Sequence, residues 1–416
     1  MTARTAVRVA LLWGLAVALL TASPAATFAQ PPPPPAPCVG GLLDDAQILV
    51  CVPPTGWNGD LVVFAHGYVA PKDGPAQIPW DQLELPDGTS IPGIVMSLGF
   101  AFATTSYSDD GLAIVEGVQD VTNLAAAFAK GPWGPPDHVY LVGASEGGLV
   151  TTLAVERSPL VFSGGVATCG PVGDFRKQVN YWGDFRVLFD FYFPGLMPGT
   201  VTSVPAVTQE QWDLGYAPAI AEALAAKPAL LDKLLRVSRA PFDPAQPQTK
   251  VQTALGILWY RAFATTDAQT KLGGQPFDNS KRIYTGSGHD FLLNLLIERY
   301  HADAAALAAI DADYQTTGRL EVPLVTMHTT GDPVVPYWHE PLYSLKALIG
   351  SGLLHVNLPV VRYGHCSFKA EEALVALGLL VLRVEGRELL DAERVLTTEK
   401  ARERYRSLAR ANGLRR

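Results

Sequence analysis

The segment Gly143-Ala144-Ser145-Glu146-Gly147 fits the pattern G-x-S-x-G, in which small residues flank a serine on a sharp turn between a strand and a helix. A chain with 38 glycines can contain this pattern by chance, so its surroundings decide its meaning. An apolar run at 139–142 leads into the segment, and a stretch of helical character at 149–157 follows it. Ser145 is therefore predicted to be a nucleophile. The alternative is a glycine-rich turn with a solvated serine.

A serine hydroxyl needs a base to take its proton, and histidine is the side chain that changes protonation near neutral pH. His365 follows an apolar run at 355–361 and precedes a helical stretch that starts near Lys369. A loop in that place faces the carboxyl edge of a parallel sheet, which is also where the serine turn lies. His365 is therefore predicted to be the base, and reaction rates should rise with pH as its imidazole loses a proton.

The other seven histidines are interpreted differently. His289 lies between Ser287 and Asp290, but side chains so close along the chain do not converge on one point without unusual folding. His66 comes directly before Gly67 at a strand end and is interpreted as structural. The remaining five are interpreted as surface or packing residues: His138, His301, His328, His339 and His355.

An acid that orients the base should lie between the serine and the histidine in the chain, at the end of a strand. Asp332 matches this place, since it follows a strand-like run at 322–327 and the turn residue Gly331. The alternative is a turn-forming Asp332-Pro333 pair of the kind that is common in loops. Together with Ser145 and His365, the chain order favours the catalytic interpretation.

Hydrolysis of an acyl compound also requires two N–H groups that stabilise the oxyanion. The backbone N–H of Glu146 is one expected donor. The N–H of Tyr68 is the other, because it follows the apolar run at 61–64, and Gly67 lets the backbone approach the substrate closely. The side chains of these two residues are given no catalytic role.

The elements that must position these groups are indicated by short apolar runs typical of buried parallel strands. A helical stretch at 115–130 and several strand-like runs precede a long tract at 173–319, which is aromatic, helical and rich in proline. The alternation of strands and helices resumes after that tract. A mostly parallel sheet interrupted by a helical insertion is predicted. Strands are expected at 46–50, 61–64, 101–104, 139–142, 165–168, 322–327 and 355–361.

In these segments the chain resembles the α/β-hydrolase superfamily of serine hydrolases. The resemblance implies an α/β fold in which 38–172 and 320–416 form a catalytic domain. It further implies that 173–319 is a helical cap inserted between the sixth and seventh strands. The implied activity is hydrolysis of esters, amides or related compounds. A Ser145, His365 and Asp332 triad would form an acyl-enzyme, without a metal or an organic cofactor.

A narrower likeness concerns feruloyl esterases and tannases. In those enzymes one cysteine follows the catalytic histidine and another precedes the serine. Here Cys366 follows His365, but Ala144 precedes Ser145, so the pattern is half present.

The four cysteines form an even set, which an oxidising compartment permits to pair. Three pairings are possible. Cys38 and Cys51 bracket a short strand-like run and form the natural local pair, which leaves Cys169 with Cys366. The latter two are expected near each other at the carboxyl edge of the sheet. Two buried free thiols are the alternative, because geometry decides whether the sulfurs meet.

Residues 1–29 have the pattern of a signal peptide: Arg4 and Arg8 precede an apolar run at 9–20, and small residues follow up to Ala29. A membrane anchor is the competing interpretation, but about 20 apolar residues are needed to cross a bilayer. Residues 30–37 read as a proline-rich linker. The mature chain is therefore expected to be secreted or periplasmic, without a stable membrane anchor.

A net charge of -8 gives no sign of a basic face for nucleic acid, so a small or polymeric ester is the expected partner. One alternative is an aminopeptidase of the proline iminopeptidase type, which would need carboxylates such as Glu210, Asp213 or Asp290 to hold an ammonium group. A non-catalytic binding protein with a hydrolase fold is the other. Aromatic residues of the 173–319 tract are candidates for the substrate pocket: Trp182, Phe191, Tyr192, Phe193, Trp259 and Tyr260.

Overall fold

The computed structural model describes residues 37–386 and 390–414. The predicted signal peptide, and all of the predicted linker except Pro37, lie outside the described residues.

The centre of the molecule is an eight-stranded sheet with the spatial order β1-β2-β4-β3-β5-β6-β7-β8. Only β2 runs against the other strands, because it pairs antiparallel with both β1 and β4, and every other pair is parallel. The strands in chain order are β1 Cys38–Leu43, β2 Ala46–Cys51, β3 Leu61–Ala65, β4 Ala101–Thr105, β5 Val139–Ala144, β6 Gly164–Thr168, β7 Leu324–Gly331 and β8 His355–Tyr363.

The inner strands are apolar throughout because both faces of the sheet are covered. In β3, Leu61, Val63 and Ala65 face one core, whereas Val62 and Phe64 face the other. The first core packs under α2 (Ile114–Ala129), α3 (Glu146–Arg157) and α12 (His339–Ser351). The second packs under α1 (Ile91–Ser97), α13 (Ala370–Glu385) and α14 (Glu399–Ala411). The predicted class, an α/β fold with a mostly parallel sheet, is confirmed.

The chain between β6 and β7 is helical, and we call its helices the inserted helices. They are α4 Phe175–Tyr192, α5 Gln209–Gln211, α6 Ala217–Ala226, α7 Pro228–Ser238, α8 Thr249–Phe263, α9 Thr265–Leu272, α10 Asp290–Leu296 and α11 Ala304–Ala309. Two π-helical turns, Trp212–Tyr216 and Ile310–Tyr314, follow α5 and α11. Short 3-10 helices at Trp80–Leu83 and Ala392–Arg394 complete the elements of the described chain.

Strand β1 is absent from the sequence-based expectations. Its residues are mostly exposed and include Gly40 and Gly41, so it lacks the apolar run by which the other strands were recognised. It forms a hairpin with β2 through the two-residue turn Asp44-Asp45, in which Asp44 has a positive φ of 51°. The Cys38–Cys51 disulfide joins the open end of this hairpin.

The second disulfide, Cys169–Cys366, connects the residue after β6 with the loop after β8, across 197 residues of sequence. The same pairs were expected from the sequence. Among the helices of 37–386 and 390–414, none has both the length and the apolar character needed to cross a membrane.

Candidate active site

Ser145 lies on a tight turn between β5 and α3. Its backbone has φ 58° and ψ −118°, a conformation that a residue other than glycine rarely adopts. The turn is held because the Ser145 N–H donates to the Thr168 carbonyl at 2.9 Å. A Cβ on Gly143 would overlap the Gly147 carbonyl, and one on Gly147 would overlap the Ala65 carbonyl. The two glycines of the pattern are therefore required by close backbone contacts, and the turn presents the Ser145 side chain at the carboxyl edge of the sheet.

The structure brings the three predicted side chains into one hydrogen-bonded chain. Ser145 Oγ lies 2.8 Å from His365 Nε2, and His365 Nδ1 lies 2.7 Å from Asp332 Oδ2. A carboxylate only accepts hydrogen bonds, so Nδ1 carries the proton that is donated to Asp332. His365 Nε2 then accepts from the Ser145 hydroxyl. This arrangement can transfer a proton from the serine to the imidazole.

Asp332 is fully buried and strongly hydrogen-bonded. Its Oδ1 accepts from the N–H groups of Val334 and Val335, each at 2.9 Å. Burial opposes its charge, but the nearby His365 and His328 outweigh burial and lower the pKa of Asp332 to about 2. The carboxylate is therefore ionised at neutral pH and held in one orientation.

His328, which sequence reasoning took as a packing or surface residue, is buried behind Asp332. Its Nε2 lies 2.7 Å from the Val335 carbonyl and 3.4 Å from Asp332 Oδ2, and its Nδ1 lies 3.0 Å from Glu340 Oε1. Burial opposes the charged form, but hydrogen bonds with Asp332 and Glu340 raise the pKa of His328 to about 10. An imidazolium thus lies beside the same carboxylate oxygen, Asp332 Oδ2, that accepts from His365. A histidine within an apolar strand needs a buried partner, and this signal was available in the sequence.

The predicted oxyanion donors belong to the residue after Ser145 and to the loop after β3, which approaches Ser145 at Gly67. Neither the Tyr68 N–H nor the Glu146 N–H donates to another atom of the described chain. A Cβ on Gly67 would come within 3.2 Å of the Ser145 Cβ, so a glycine allows the loop to approach the serine closely.

Gln82, which was not predicted, holds this loop from both sides. Its Oε1 accepts from the Gly67 N–H at 2.7 Å, and its Nε2 donates to the Tyr68 carbonyl at 3.2 Å. Gln82 therefore sets the orientation of the peptide groups around Tyr68. No sequence pattern marks it, because it lies in a short 3-10 helix 15 residues from Gly67.

The Cys169–Cys366 disulfide lies beside His365. Cys366 Sγ is 3.5 Å from His365 Nε2, and the bridge connects the His365 loop to the end of β6 next to the serine strand. Both cysteines have a positive φ, 47° at Cys169 and 49° at Cys366. The bridge therefore joins two loops, one after β6 and one after β8, at residues whose backbone conformation is unusual for a residue other than glycine.

The first inserted helix, α4, contacts the loop that follows Asp332. Gln178 and Trp182 each donate to the Val334 carbonyl at 2.9 Å, and Tyr181 donates to the Pro333 carbonyl at 2.7 Å. The inserted helices thus contribute none of the three hydrogen-bonded side chains but hold the loop that follows Asp332.

Two cavities meet at Ser145, and Tyr68 and Tyr260 line both of them. The narrow cavity has a volume of about 70 Å³ and runs beneath the inserted helices; its walls include Glu146, Trp182, Val201, Arg261, Thr265 and Leu272. The wide cavity has a volume of about 650 Å³ and lies between the sheet and α1 and α13; its walls include Val62, Phe64, Val95, Val166, Met327 and Leu377. Both are mainly apolar, which suits the carbon skeleton of an organic substrate.

Of the six aromatic candidates, Trp182 and Tyr260 line a cavity, and Phe193 is buried in the core. Ser287, His289 and Asp290 lie outside both cavities, and the Ser287 hydroxyl donates to Asp290 at 2.6 Å at the start of α10.

The cysteines next to His365 are bonded to each other and so are not available as metal ligands. Asp60, His138 and Glu385 lie close enough together to share a cation, but they are at the amino edge of the sheet, away from Ser145. There the His138 ring lies 3.0 Å from the Asp60 carboxylate, and the Tyr140 hydroxyl donates to Glu385.

No protein-family model matches the chain, and no curated protein matches it. Among solved structures, it is similar to Candida Antarctica lipase A, with 14% identity, a TM-score of 0.48 and coverage of 87% of this chain and 82% of that chain. It is also similar to feruloyl esterase B from Aspergillus oryzae, with 15% identity, a TM-score of 0.44 and coverage of 84% of this chain and 80% of that chain. A third similar structure is the acylaminoacyl peptidase of Pyrococcus horikoshii, with 12% identity, a TM-score of 0.41 and coverage of 86% of this chain and 43% of that chain.

The chain has the α/β-hydrolase fold. Three features are typical of this fold: the strand order with a single reversed strand, the serine turn after β5, and the chain order of Ser145, Asp332 and His365.

Proposed function

We propose that the protein is a serine hydrolase that cleaves carboxylic esters. The observation that carries this proposal is the relay from Ser145 through His365 to Asp332, placed where two apolar cavities meet. The N–H groups of Tyr68 and Glu146 support it, since neither donates to another atom of the described chain, Glu146 follows Ser145, and the loop of Tyr68 approaches Ser145 at Gly67.

In the proposed reaction, Ser145 Oγ attacks the ester carbonyl carbon while its proton passes to His365 Nε2. The carbonyl oxygen becomes an oxyanion and accepts hydrogen bonds from Tyr68 and Glu146. When the intermediate collapses, the bond to the alcohol oxygen breaks, and that oxygen takes the proton from His365. Water then attacks the acyl-enzyme by the same route and releases the acid and the free serine.

The inserted helices are proposed to act as a cap over the narrow cavity that limits substrate size. Trp182 on α4 and Arg261 on α8 form part of its wall, which supports this role. The peptidase alternative has no comparable support. Glu210 and Asp213 are exposed, and neither they nor Asp290 lines either of the two cavities at Ser145.

Export from the cytoplasm is part of the proposal. Disulfides form and persist in oxidising compartments. In the described chain one bridge closes the β1–β2 hairpin, and the other joins the end of β6 to the loop of His365. Mass spectrometry of the mature N-terminus after expression in a host with a secretion pathway tests removal of residues 1–29.

The function is tested with 4-nitrophenyl esters and aminoacyl 4-nitroanilides assayed side by side, together with a fluorophosphonate probe. We expect ester turnover and labelling in the wild type, and loss of both in Ser145→Ala without unfolding, because the change removes the nucleophile and little packing. Ser287→Ala, which alters the other Ser-His-Asp neighbourhood, is the matched control and should retain activity. Equal turnover by wild type and Ser145→Ala would disprove the assignment.

A further inference from the structure

Arg261 is a buried arginine in the wall of the narrow cavity. It follows Tyr260 on α8, and Thr265, the first residue of α9, donates its hydroxyl to the Arg261 carbonyl at 2.7 Å and also lines the cavity. Only 6% of Arg261 is exposed. Among the described residues, Glu146 is the only other charged residue in this wall.

The guanidinium of Arg261 lacks a carboxylate of its own. Its Nη2 donates to the Val201 carbonyl, and its buried Nε donates to no atom of the described chain. Asp190 is the anion whose charge acts on Arg261, but both oxygens of that carboxylate accept from Arg186 Nε, at 2.9 and 2.8 Å. Two buried guanidinium groups therefore share one carboxylate. A buried charge without a partner is strongly unfavourable, so this site favours an additional anion.

The electrostatics around Arg261 agree with this geometry. Burial and the charge of Arg186 lower the pKa of Arg261 to about 9, and the attraction of Asp190 offsets only part of this. Arg261 is therefore still protonated at neutral pH. Burial raises the pKa of Glu146 to about 8, so its carboxyl is mostly neutral at pH 7 and does not supply the missing negative charge.

We propose that the narrow cavity binds a carboxylate carried by one half of the ester substrate, with Arg261 as its partner. This inference rests on the proposed esterase function. A guanidinium offers several N–H donors in a fixed plane that fits a carboxylate. At about 70 Å³ the narrow cavity admits only a short group, whereas the wide cavity of about 650 Å³ accepts a large apolar one. The substrate class is thus an ester with a bulky apolar half and a short half that ends in a carboxylate.

The kinetic test compares 4-nitrophenyl hydrogen glutarate with 4-nitrophenyl hexanoate, a neutral ester of similar length. We expect wild-type kcat/KM to be at least tenfold higher for the glutarate ester. In Arg261→Gln this ratio should fall towards one, because glutamine can still donate to the Val201 carbonyl but has no charge. Arg261→Lys keeps a cation and should retain part of the preference. Arg236→Gln removes an exposed arginine that lines neither cavity and should keep the wild-type ratio.

A binding measurement separates this inference from the proposed function. Free glutarate should raise the thermal unfolding temperature of the wild type and of Arg236→Gln, but not that of Arg261→Gln. If no ester is hydrolysed by any form, the esterase proposal fails while the thermal shift still tests the anion site. Equal loss of activity towards both esters in Arg261→Gln, or a wild type with neither a glutarate preference nor a thermal shift, would show that Arg261 only holds the loop at Val201.

Discussion

Gln82 shows how a side chain that never touches the reacting atoms can set their geometry. It is hydrogen-bonded to the Gly67 N–H and the Tyr68 carbonyl, which flank the peptide bond whose N–H is the proposed oxyanion donor. An oxyanion donor acts in the transition state, so its displacement affects turnover more than substrate affinity.

We therefore expect Gln82→Leu to lower kcat by roughly tenfold or more with a smaller change in KM, since loss of one such donor costs about 100-fold or more. Steady-state kinetics on a 4-nitrophenyl ester is the measurement. Gln119→Leu, at an exposed position on α2, should behave as the wild type. A rise in KM with unchanged kcat would show that Gln82 acts on binding rather than on the oxyanion loop.

The residues of the relay were accessible to sequence reasoning because strand ends and chain order identify them. Ser145, Asp332 and His365 each follow an apolar strand, and the structure places them in contact. Gln82 and Arg261 were not accessible in this way. Their environment is created by tertiary packing between segments that no local pattern connects, such as Arg261 with Val201.

At the scale of elements, the Cys169–Cys366 bridge joins the end of β6 to the loop that carries His365. It closes a loop of 197 residues, whereas Cys38–Cys51 closes one of 13. In the chain-entropy model the long loop corresponds to about 5 kcal/mol and the short one to about 3 kcal/mol, although measured effects are often smaller.

Replacing Cys169 and Cys366 together by alanine should lower the free energy of unfolding by more than the Cys38/Cys51 double alanine variant. It should also lower kcat, because the His365 loop loses its covalent connection to the serine side of the sheet. Urea unfolding and ester kinetics of both double variants are the measurements. Equal kcat in the two variants would mean that hydrogen bonds and packing alone hold the base in place.

Sequence patterns predicted the buried strands well because parallel strands covered on both faces form continuous apolar runs. Strand β1 escaped prediction because its residues are mostly exposed, include two glycines and form no such run. The contacts between α4 and the loop at Val334 were equally inaccessible. They join segments more than 150 residues apart.

At the scale of the whole molecule, Glu146 links stability to pH. Burial raises its pKa to about 8 in the folded protein, against about 4.5 when exposed. Between these two values the native state holds a proton that the unfolded state has lost. The contribution of this group to the free energy of unfolding therefore falls as pH rises through that window, by up to about 1.4 kcal/mol per pH unit.

Glu146→Gln removes this titration while keeping an acceptor for the Ala113 N–H. The free energy of unfolding of Glu146→Gln minus that of the wild type should therefore be larger at pH 8 than at pH 5. Urea unfolding of both proteins at the two pH values measures this difference. Glu210→Gln, at an exposed position, should leave the pH dependence as it is. A stability difference between Glu146→Gln and the wild type that is the same at both pH values would contradict the raised pKa.

The two outermost strands of the sheet, β1 and β8, each have one edge that pairs with no other strand of the described chain. An open strand edge exposes unpaired N–H and carbonyl groups and can recruit another chain, which leads to aggregation. In β8, Pro359 has no N–H to offer, and in β1 the exposed glycines lack side chains that would pack against an added strand. Val361, two residues further along β8, is 90% exposed, so the missing N–H of Pro359 interrupts the edge close to an exposed apolar side chain. The β8 edge of the sheet is therefore a poor template for the addition of another strand.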